Sequence, residues 1–263
     1  MTDYEVEYDN SGRVPDADAI FERWKAASAA YRDATHAELD LKYGAGDRHR
    51  YDLFPADGDA PLVVYIHGGY WQGGDRTLYS FLAEALNANG LTLAVPSYSL
   101  CPSVSVLDIV GELRMFLVAL WKRTRVRPLV VGHSAGGHLT AAMLAVASTD
   151  LAGGIAISGI FDLQPLVSTS INGALGLDLD TARQASPSLW PPPPPGRALT
   201  AAVGADESSE FLRQSRELVE SWGAAGAETE YLEVPGTNHF TVVDELTQPR
   251  SLLSKRVVAM AQR

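Results

Sequence analysis

The sequence of 263 residues contains only one cysteine, Cys101, and no apolar run that approaches the ~20 residues of a membrane-spanning helix. A single cysteine excludes an internal disulfide, and a chain without disulfides suits a reducing compartment. The first residues, Met1-Thr2-Asp3-Tyr4-Glu5, lack the basic segment and the apolar core of a signal peptide. We therefore expect a cytoplasmic protein that has no membrane partner.

Positive charge is also scarce, because 21 Lys and Arg residues face 32 Asp and Glu residues, for a formal net charge of −11. This balance argues against nucleic acid or an anionic membrane as a partner. Clustered His/Cys spacing, a P-loop and a G-x-G-x-x-G that opens a helix after a strand are missing too, so neither a metal nor a cofactor is predicted. A small-molecule substrate is the expected partner, and a homodimer is compatible with the sequence.

Hydrophobic residues make up 46% of the chain and charged residues 20%, the usage of an ordinary globular domain. Strand-like and helix-like patterns alternate along most of the chain, after an N-terminal helix and an antiparallel hairpin. Such alternation implies right-handed crossovers and a mainly parallel sheet with helices on both faces, which is the α/β class. The predicted strands are 37–43, 48–54, 61–66, 91–96, 128–131, 154–158, 198–203 and 228–234, and the predicted helices are 15–33, 75–89, 103–125, 134–147, 208–224 and one that begins near 249.

The stretch 161–197 interrupts this alternation with short helical pieces and the proline run 191–195. Consecutive prolines enter neither a helix nor a central strand, so they predict an extended polyproline connector. An SH3-type ligand is the alternative, but a rigid surface loop is favoured because the run lies between two core elements. We expect 161–197 to form a small cap or connector within a single domain that spans 1–263.

A serine flanked by glycines lies between the predicted strand 128–131 and the helix that follows it. The residues Gly132-His133-Ser134-Ala135-Gly136 match the G-x-S-x-G pattern of the nucleophile elbow of α/β-hydrolases. The serine of such an elbow has strained backbone angles, and only small residues two positions to either side allow the turn to close. A glycine-rich turn in another α/β protein is the alternative. Together with the rest of the chain, the motif predicts Ser134 as a nucleophile and an α/β-hydrolase fold.

A serine hydroxyl needs a histidine base that a carboxylate holds in place, and in this class the chain order is Ser, then Asp or Glu, then His. Only His239 follows the serine, at a predicted strand-to-helix junction, and it is the predicted base. The other histidines before and around the serine are predicted to have no catalytic role. His36 and His49 are expected to be solvated near the hairpin, and His67, His133 and His138 are expected to hold loops.

Two adjacent carboxylates compete for the role of the acid, on the loop after the predicted strand 198–203. In related hydrolases the acid usually stands three residues after the strand-ending glycine, and three residues after Gly204 is Glu207. Asp206 is the more common residue type for this role, and it is otherwise a solvated carboxylate or a helix cap. The spacing favours Glu207 and leaves Asp206 as the alternative.

The segment His67-Gly68-Gly69-Tyr70-Trp71 ends the predicted strand 61–66, where α/β-hydrolases carry an oxyanion loop. Glycines let main-chain amides approach a substrate without an intervening Cβ atom. The predicted oxyanion donors are the amides of Gly69 and Tyr70, with Gly68 as a near alternative, and the amide of Ala135 after the nucleophile.

Aromatic residues near this loop suggest a wall for an aryl substrate. Trp71 and Tyr98 are the candidate substrate-binding residues, beside Tyr70. Core packing is the alternative for these side chains, above all for Trp71.

Nearly the whole chain resembles the arylformamidase branch, of the kynurenine formamidase type, of the α/β-hydrolases, close to the esterases related to hormone-sensitive lipase. The Tyr-Trp after the two glycines distinguishes this branch from esterases that have a third glycine. The matching segments are Tyr8-Asp9-Asn10, Arg13-Val14-Pro15, Tyr43-Gly44, His67-Gly68-Gly69-Tyr70-Trp71, Tyr98-Ser99-Leu100-Cys101-Pro102, 132–139, 210–215 and Asn238-His239-Phe240.

The resemblance implies hydrolysis of an N-formyl arylamine, such as N-formylkynurenine, to formate and the free amine. It also implies that the acid aligns with Glu207, although some members of the family carry aspartate there. A carboxylesterase for small aryl or short-acyl esters is the alternative, because both reactions pass through the same acyl-enzyme and oxyanion. A hydrolase-fold protein that only binds its ligand is a further alternative, but such proteins usually lose a member of the triad.

Overall fold

In the computed structural model, which describes residues 2–263, one eight-stranded sheet has the strand order β1-β2-β4-β3-β5-β6-β7-β8. The two strands of the N-terminal hairpin, β1 and β2, pair antiparallel, and β2 also pairs antiparallel with β4. The strands from β3 to β8 are parallel to one another. The strands are β1 (Glu38–Lys42), β2 (Arg50–Phe54), β3 (Leu62–Ile66), β4 (Thr92–Pro96), β5 (Leu129–His133), β6 (Gly153–Ile157), β7 (Leu199–Gly204) and β8 (Thr229–Val234).

Helices cover both faces of this sheet. The α-helices are α1 (Tyr4–Tyr8), α2 (Asn10–Arg13), α3 (Ala17–Ala34), α4 (Leu82–Ala88), α5 (Val106–Thr124), α6 (Ala135–Val146), α7 (Asn172–Leu175), α8 (Leu179–Gln184), α9 (Ser209–Ala224), α10 (Thr241–Asp244) and α11 (Leu252–Ala261). Short 3₁₀ helices span Arg76–Tyr79, Gln164–Ser168, Pro187–Leu189 and Glu245–Thr247. None of the helices within residues 2–263 combines the length and the apolar character that crossing a bilayer requires.

The core lies in two layers, one on each face of the sheet. The central strand β3 is buried at every position, and its side chains alternate between the layers: Val64 belongs to the layer that contains α5, α6 and α9, whereas Val63 belongs to the layer that contains α3, α4 and α11. Burial on both faces explains why β3 is a continuous apolar run in the sequence. The predicted α/β-hydrolase fold is therefore confirmed.

The predicted single helix over 75–89 is wrong, because the chain forms a 3₁₀ turn over Arg76–Tyr79 and then α4. Ser28 of helix α3 is inserted at the break. Its hydroxyl donates to the carbonyl of Leu78 at 2.7 Å and accepts from the amide of Phe81 at 3.2 Å. The apolar periodicity is continuous across this break, but the main-chain hydrogen bonds are not.

The segment 161–197 connects β6 to β7 through α7, α8 and two of the 3₁₀ helices. As the prolines predict, positions 191–194 form neither helix nor strand. The sequence did not predict helices α1 and α2, because each is only about one turn long and carries little apolar periodicity. Both contribute to the pocket described below.

Candidate active site

Ser134 lies at the sharp turn between β5 and α6, with φ 58° and ψ −121°. Its amide donates to the carbonyl of Ile157 at 2.8 Å, which fixes the turn against β6. A Cβ atom on Gly132 would lie 2.1 Å from the carbonyl oxygen of Gly136. A Cβ atom on Gly136 would lie 2.0 Å from the carbonyl oxygen of Ile66. Gly132 is therefore required for the turn to close onto α6 and Gly136 for α6 to fit against β3, and the strained serine is held between them.

The loops after β7 and β8 bring Glu207 and His239 into contact. The Nδ1 atom of His239 donates to Oε2 of Glu207 at 2.7 Å, and both side chains are almost fully buried. The second oxygen of Glu207, Oε1, accepts from the Gly204 amide at 2.7 Å and from the Ser158 hydroxyl. This carboxylate thus receives donors from the ends of three strands, which fixes its position.

Asp206, the alternative acid, has an exposed side chain, and its amide donates to the carbonyl of Thr237 at 3.0 Å. Between the two candidates, it is Glu207 that contacts His239. The sequence did not predict that Ser158 contacts the acid. The one feature that could have indicated it is the position of Ser158 at the carboxyl end of a predicted strand.

A second histidine supports the first. His133 Nε2 lies 2.7 Å from the carbonyl oxygen of His239, and the two rings are 4.7 Å apart. A carbonyl oxygen can only accept, so Nε2 of His133 carries a proton. Burial, with a smaller contribution from His239, holds the pKa of His133 well below its usual value. His133 is therefore neutral and holds the main chain of His239.

Ser134 and His239 line the same pocket, which also includes Gly68, Gly69 and Tyr70. Within residues 2–263, the hydroxyl of Ser134 makes no hydrogen bond, and neither does Nε2 of His239. Serine–histidine contacts in hydrolases are often long without substrate and tighten in the reacting complex. In this structure the two side chains share the pocket without a hydrogen bond between them.

The glycine loop after β3 turns its amides away from internal partners. Gly69 has φ 113° and Tyr70 has φ 48°, both in the left-handed region. The amides of Gly69, Tyr70 and Ala135 donate to no acceptor in residues 2–263, and the carbonyl of Gly69 faces inward to accept from Gly73 at 2.9 Å. Unpartnered amides around a nucleophile are what an oxyanion hole requires.

His67 holds the glycine loop in place through a hydrogen bond and a ring contact. Its Nδ1 atom donates to the carbonyl of Gly68 at 2.8 Å, and its ring stacks on Tyr98 at 4.3 Å. Burial lowers the pKa of His67 to about 4. The histidine is therefore neutral at pH 7 and holds the loop, as predicted from the sequence.

Trp71 and Tyr98 do not line the pocket, which corrects their predicted role in substrate binding. Both side chains are fully buried. Trp71 has φ 56° and packs edge-on against His138, and the hydroxyl of Tyr98 donates to the carbonyl of His67 at 2.8 Å. The left-handed backbone after the glycine pair turns Trp71 into the core. Core packing, the alternative named for Trp71, is what the structure shows.

Other aromatic residues line the pocket instead. Trp24 and Phe21 of helix α3 do so together with Tyr79 and Phe240, and the rings of Phe21 and Phe240 are 5.1 Å apart. The cavity volume is about 410 Å³, within the range of small-molecule sites. Aromatic side chains therefore line the pocket, but they are not the ones that the sequence predicted.

The N-terminal helices α1 and α2 complete the mouth of this pocket. The hydroxyl of Tyr70 donates to the carbonyl of Tyr8 at 2.6 Å and accepts from Nδ2 of Asn10 at 2.9 Å. The side chain of Tyr8 reaches helix α9, where Gln214 donates to it at 2.6 Å. Glu5 accepts from the amide of Ser170 at 2.7 Å. The mouth therefore depends on contacts between residues far apart in sequence.

The two histidines near the hairpin differ from each other. His36 is exposed, as predicted. The prediction that His49 is solvated is wrong, because its Nε2 atom lies 3.1 Å from Glu112 and its ring stacks on Tyr43 at 5.0 Å. Neither histidine lines the pocket with Ser134.

A family model for the alpha/beta hydrolase fold matches residues 63–189. Kynurenine formamidase of Danio rerio is 30% identical over 251 residues, which cover 90% of this chain and 86% of that protein. A crystal structure from Silicibacter sp. TM1040, described provisionally as a thioesterase, is 33% identical with a TM-score of 0.89, and the match covers 100% of both chains. A hormone-sensitive lipase from a metagenome library has a TM-score of 0.68 at 21% identity, covering 92% of this chain and 88% of that one, and shares the fold.

Proposed function

Because the chain belongs to the kynurenine formamidase family of α/β-hydrolases, we propose that this hydrolase cleaves N-formyl arylamines, such as N-formylkynurenine, to formate and the free amine. Hydrolysis of a formamide or ester bond follows from the family. The aryl formamide as substrate and the acyl-enzyme route are the proposal. One observation carries it: strained Ser134 shares an aromatic-lined pocket with His239, whose ring is held by Glu207 at 2.7 Å.

In the first half of the reaction, the Ser134 oxygen attacks the formyl carbon while Nε2 of His239 takes the hydroxyl proton. The negative charge moves to the formyl oxygen, where the free amides of Gly69, Tyr70 and Ala135 donate to it. Glu207 stabilises the imidazolium through Nδ1. His239 then gives the proton to the departing nitrogen, the C–N bond breaks, and the arylamine leaves a formyl ester on Ser134.

In the second half, water attacks the formyl ester and His239 takes one of its protons. The same amides stabilise the second oxyanion. When the ester bond breaks, His239 returns the proton to the Ser134 oxygen, and formic acid leaves and ionises to formate in water. Over the cycle one formamide and one water are consumed, and one amine, one formate and one proton are released.

The aromatic lining supports an aryl substrate. The ring of Phe240 lies 5.4 Å from that of His239, the residue that protonates the leaving amine, and Phe21 and Trp24 line the same pocket. A formyl group carries no alkyl substituent that must fit beside the crowded glycine loop.

A carboxylesterase for small aryl or short-acyl esters is the second candidate. The relative from Silicibacter sp. TM1040, at 33% identity over its whole length, is described provisionally as a thioesterase, so acyl transfer from an ester-type bond has its own support. The oxyanion amides and the Ser134–His239–Glu207 arrangement serve either bond.

A panel of matched acyl groups on one aryl amine separates the two candidates. We expect a formanilide to be cleaved with a kcat/KM well above that of the acetyl and butyryl anilides, since each methylene forced into a tight site costs roughly tenfold to 200-fold. Formate release and p-nitrophenyl ester hydrolysis are measured on the same preparation, and Ser134→Ala serves as the inactive control. Equal or better cleavage of butyryl anilides, or of the esters alone, would favour the carboxylesterase.

A further inference from the structure

The mouth of the pocket is rich in acceptors and acidic groups. Glu5 and Asp9 both line it, and no Lys or Arg among residues 2–263 does. Hydrogen bonds from the side chain and the amide of Ser170 lower the pKa of Glu5, so this carboxylate is ionised at neutral pH. Both Glu5 and Asp9 are exposed, so the solvent-facing part of the pocket carries negative charge.

Asn10 adds an uncharged acceptor whose orientation follows from counting protons. The hydroxyl of Tyr70 spends its one proton on the carbonyl of Tyr8, at 2.6 Å. The same hydroxyl oxygen must therefore accept from Asn10, so the side-chain atom 2.9 Å away is Nδ2 and not Oδ1. Asn10 is 6% exposed and lines the pocket, and its Oδ1 atom has no hydrogen-bond partner within residues 2–263.

Two basic residues adjoin residues of the lining, and each is either engaged elsewhere or outside the lining. The Arg48 guanidinium donates to the carbonyl oxygens of Tyr98 and Gly74, each at 2.7 Å, and lies 3.6 Å from Asp75. Arg13 shares helix α2 with Asn10 but does not line the pocket. A substrate carboxylate therefore finds no cation in the lining.

We propose that the pocket recognises an N-formyl arylamine by a cationic amine on the substrate's side chain and disfavours a carboxylate there. Oδ1 of Asn10 accepts a hydrogen bond from this amine, and Asp9 and Glu5 supply the complementary charge. The inference rests on the proposed function. It specifies the charged side chain of the substrate, which the aromatic lining of the pocket does not determine. It predicts a substrate class: aryl formamides whose side chain is cationic or neutral.

The size of the effect is modest because the carboxylates face water. A unit charge pair about 5 Å apart in water changes a binding constant by about fourfold, and salt weakens this further. We therefore expect an amine-bearing formamide to exceed its carboxylate-bearing counterpart by about fourfold to twentyfold in kcat/KM at low ionic strength. The difference shrinks as salt is added.

The test uses four substrates that share a 2-formamidophenyl ketone. The first carries both an amine and a carboxylate on its side chain, the second carries only the amine, the third carries only the carboxylate, and the fourth carries neither. We expect kcat/KM to be highest for the substrate with the amine alone and lowest for the one with the carboxylate alone. The same order in the absence of any salt effect would point to shape rather than charge and would contradict the proposal.

Asp9→Asn tests the charge with a matched control, Asp3→Asn. Both aspartates cap a short N-terminal helix through Oδ1, Asp9 to the Gly12 amide at 2.9 Å and Asp3 to the Glu5 amide at 3.1 Å. Asparagine retains this acceptor, so each variant loses one charge and keeps its cap. Only Asp9 lines the pocket. We expect Asp9→Asn to lower kcat/KM for the amine-bearing substrate by about threefold and Asp3→Asn to leave it unchanged.

The neutral formanilide separates the possible failures. If it is cleaved but the carboxylate-bearing substrate is preferred, or if both variants behave alike, the proposed amine recognition is wrong and the formamidase activity stands. If no formamide is cleaved while p-nitrophenyl esters are, the proposed function itself is wrong and the amine recognition falls with it.

Discussion

Replacing Glu207 by glutamine tests the candidate site at its most constrained point. The carboxylate accepts from the Gly204 amide and the Ser158 hydroxyl through Oε1, and from Nδ1 of His239 through Oε2. Glutamine has one acceptor oxygen and one NH₂ group, so it cannot satisfy both sides. The result depends on which side receives the NH₂ group.

The Gly204 amide decides this choice. If the NH₂ group faced the amide, two buried donors would oppose each other, at a cost of about 1–3 kcal/mol. The carbonyl oxygen therefore stays with Gly204, and the NH₂ group turns to His239. Nδ1 of His239 must then accept, which moves the ring proton to Nε2, where it blocks removal of the proton from Ser134. A histidine held in the wrong tautomer costs a serine hydrolase about 10⁴ in kcat.

We therefore expect Glu207→Gln to lower kcat for a formanilide by on the order of 10³ to 10⁴, measured by steady-state formate release. The control is Asp206→Asn, which changes an exposed neighbour and should stay within about twofold of the wild type. Circular dichroism of both variants checks that the fold is retained. A Glu207→Gln enzyme within tenfold of the wild type, or a larger loss in Asp206→Asn, would refute the reasoning.

Three further outcomes follow from the same geometry. Ser134→Ala should abolish turnover, by at least about 10⁴, with an unchanged far-UV spectrum, and labelling of a different residue by a phosphonate probe would contradict this. Gly136→Ala should lower the free energy of unfolding by about 3 kcal/mol or more in urea titrations, because its Cβ atom would lie 2.0 Å from the Ile66 carbonyl oxygen, and a neutral effect would show that β3 can move. Burial lowers the pKa of His138 to about 4, so the unfolded chain binds the extra proton first and stability rises with pH between about 4 and 6.5. His138→Gln should therefore flatten the pH dependence of the unfolding free energy by about 1 kcal/mol per pH unit in that window, and an unchanged slope would contradict the assignment.

The parts of the site that could be predicted from the sequence are those with a local cause. Gly132 and Gly136 flank Ser134 because a Cβ atom at either position would meet a main-chain oxygen within about 2 Å, and such a requirement leaves a short, readable pattern. The alternation of strands and helices likewise placed the catalytic candidates at the carboxyl ends of parallel strands. The segments that follow β5, β7 and β8 lie there in the structure.

The parts that could not be predicted depend on backbone angles or distant partners. The side chain of Trp71 points into the core because its φ is 56°, in the left-handed region. A tryptophan in a sequence does not indicate such a backbone angle. The role of Asn10 follows from its contact with Tyr70, sixty positions away. The contact of the Ser158 hydroxyl with Glu207 joins two residues 49 positions apart. In each case the sequence supplies the residue and the tertiary fold supplies its direction.

The position of β8 at the rim of the sheet has a consequence for how this enzyme fails under stress. β8 pairs only with β7, its side chains are mostly half-buried, and the chain that leaves it carries His239. Marginal strands of this kind open locally at a lower free energy than the whole domain. Fraying there would detach the base from Glu207 while the central strands stay folded. We therefore expect activity to be lost on heating before the helical signal falls, because the base would separate from Glu207 while most of the domain stays folded.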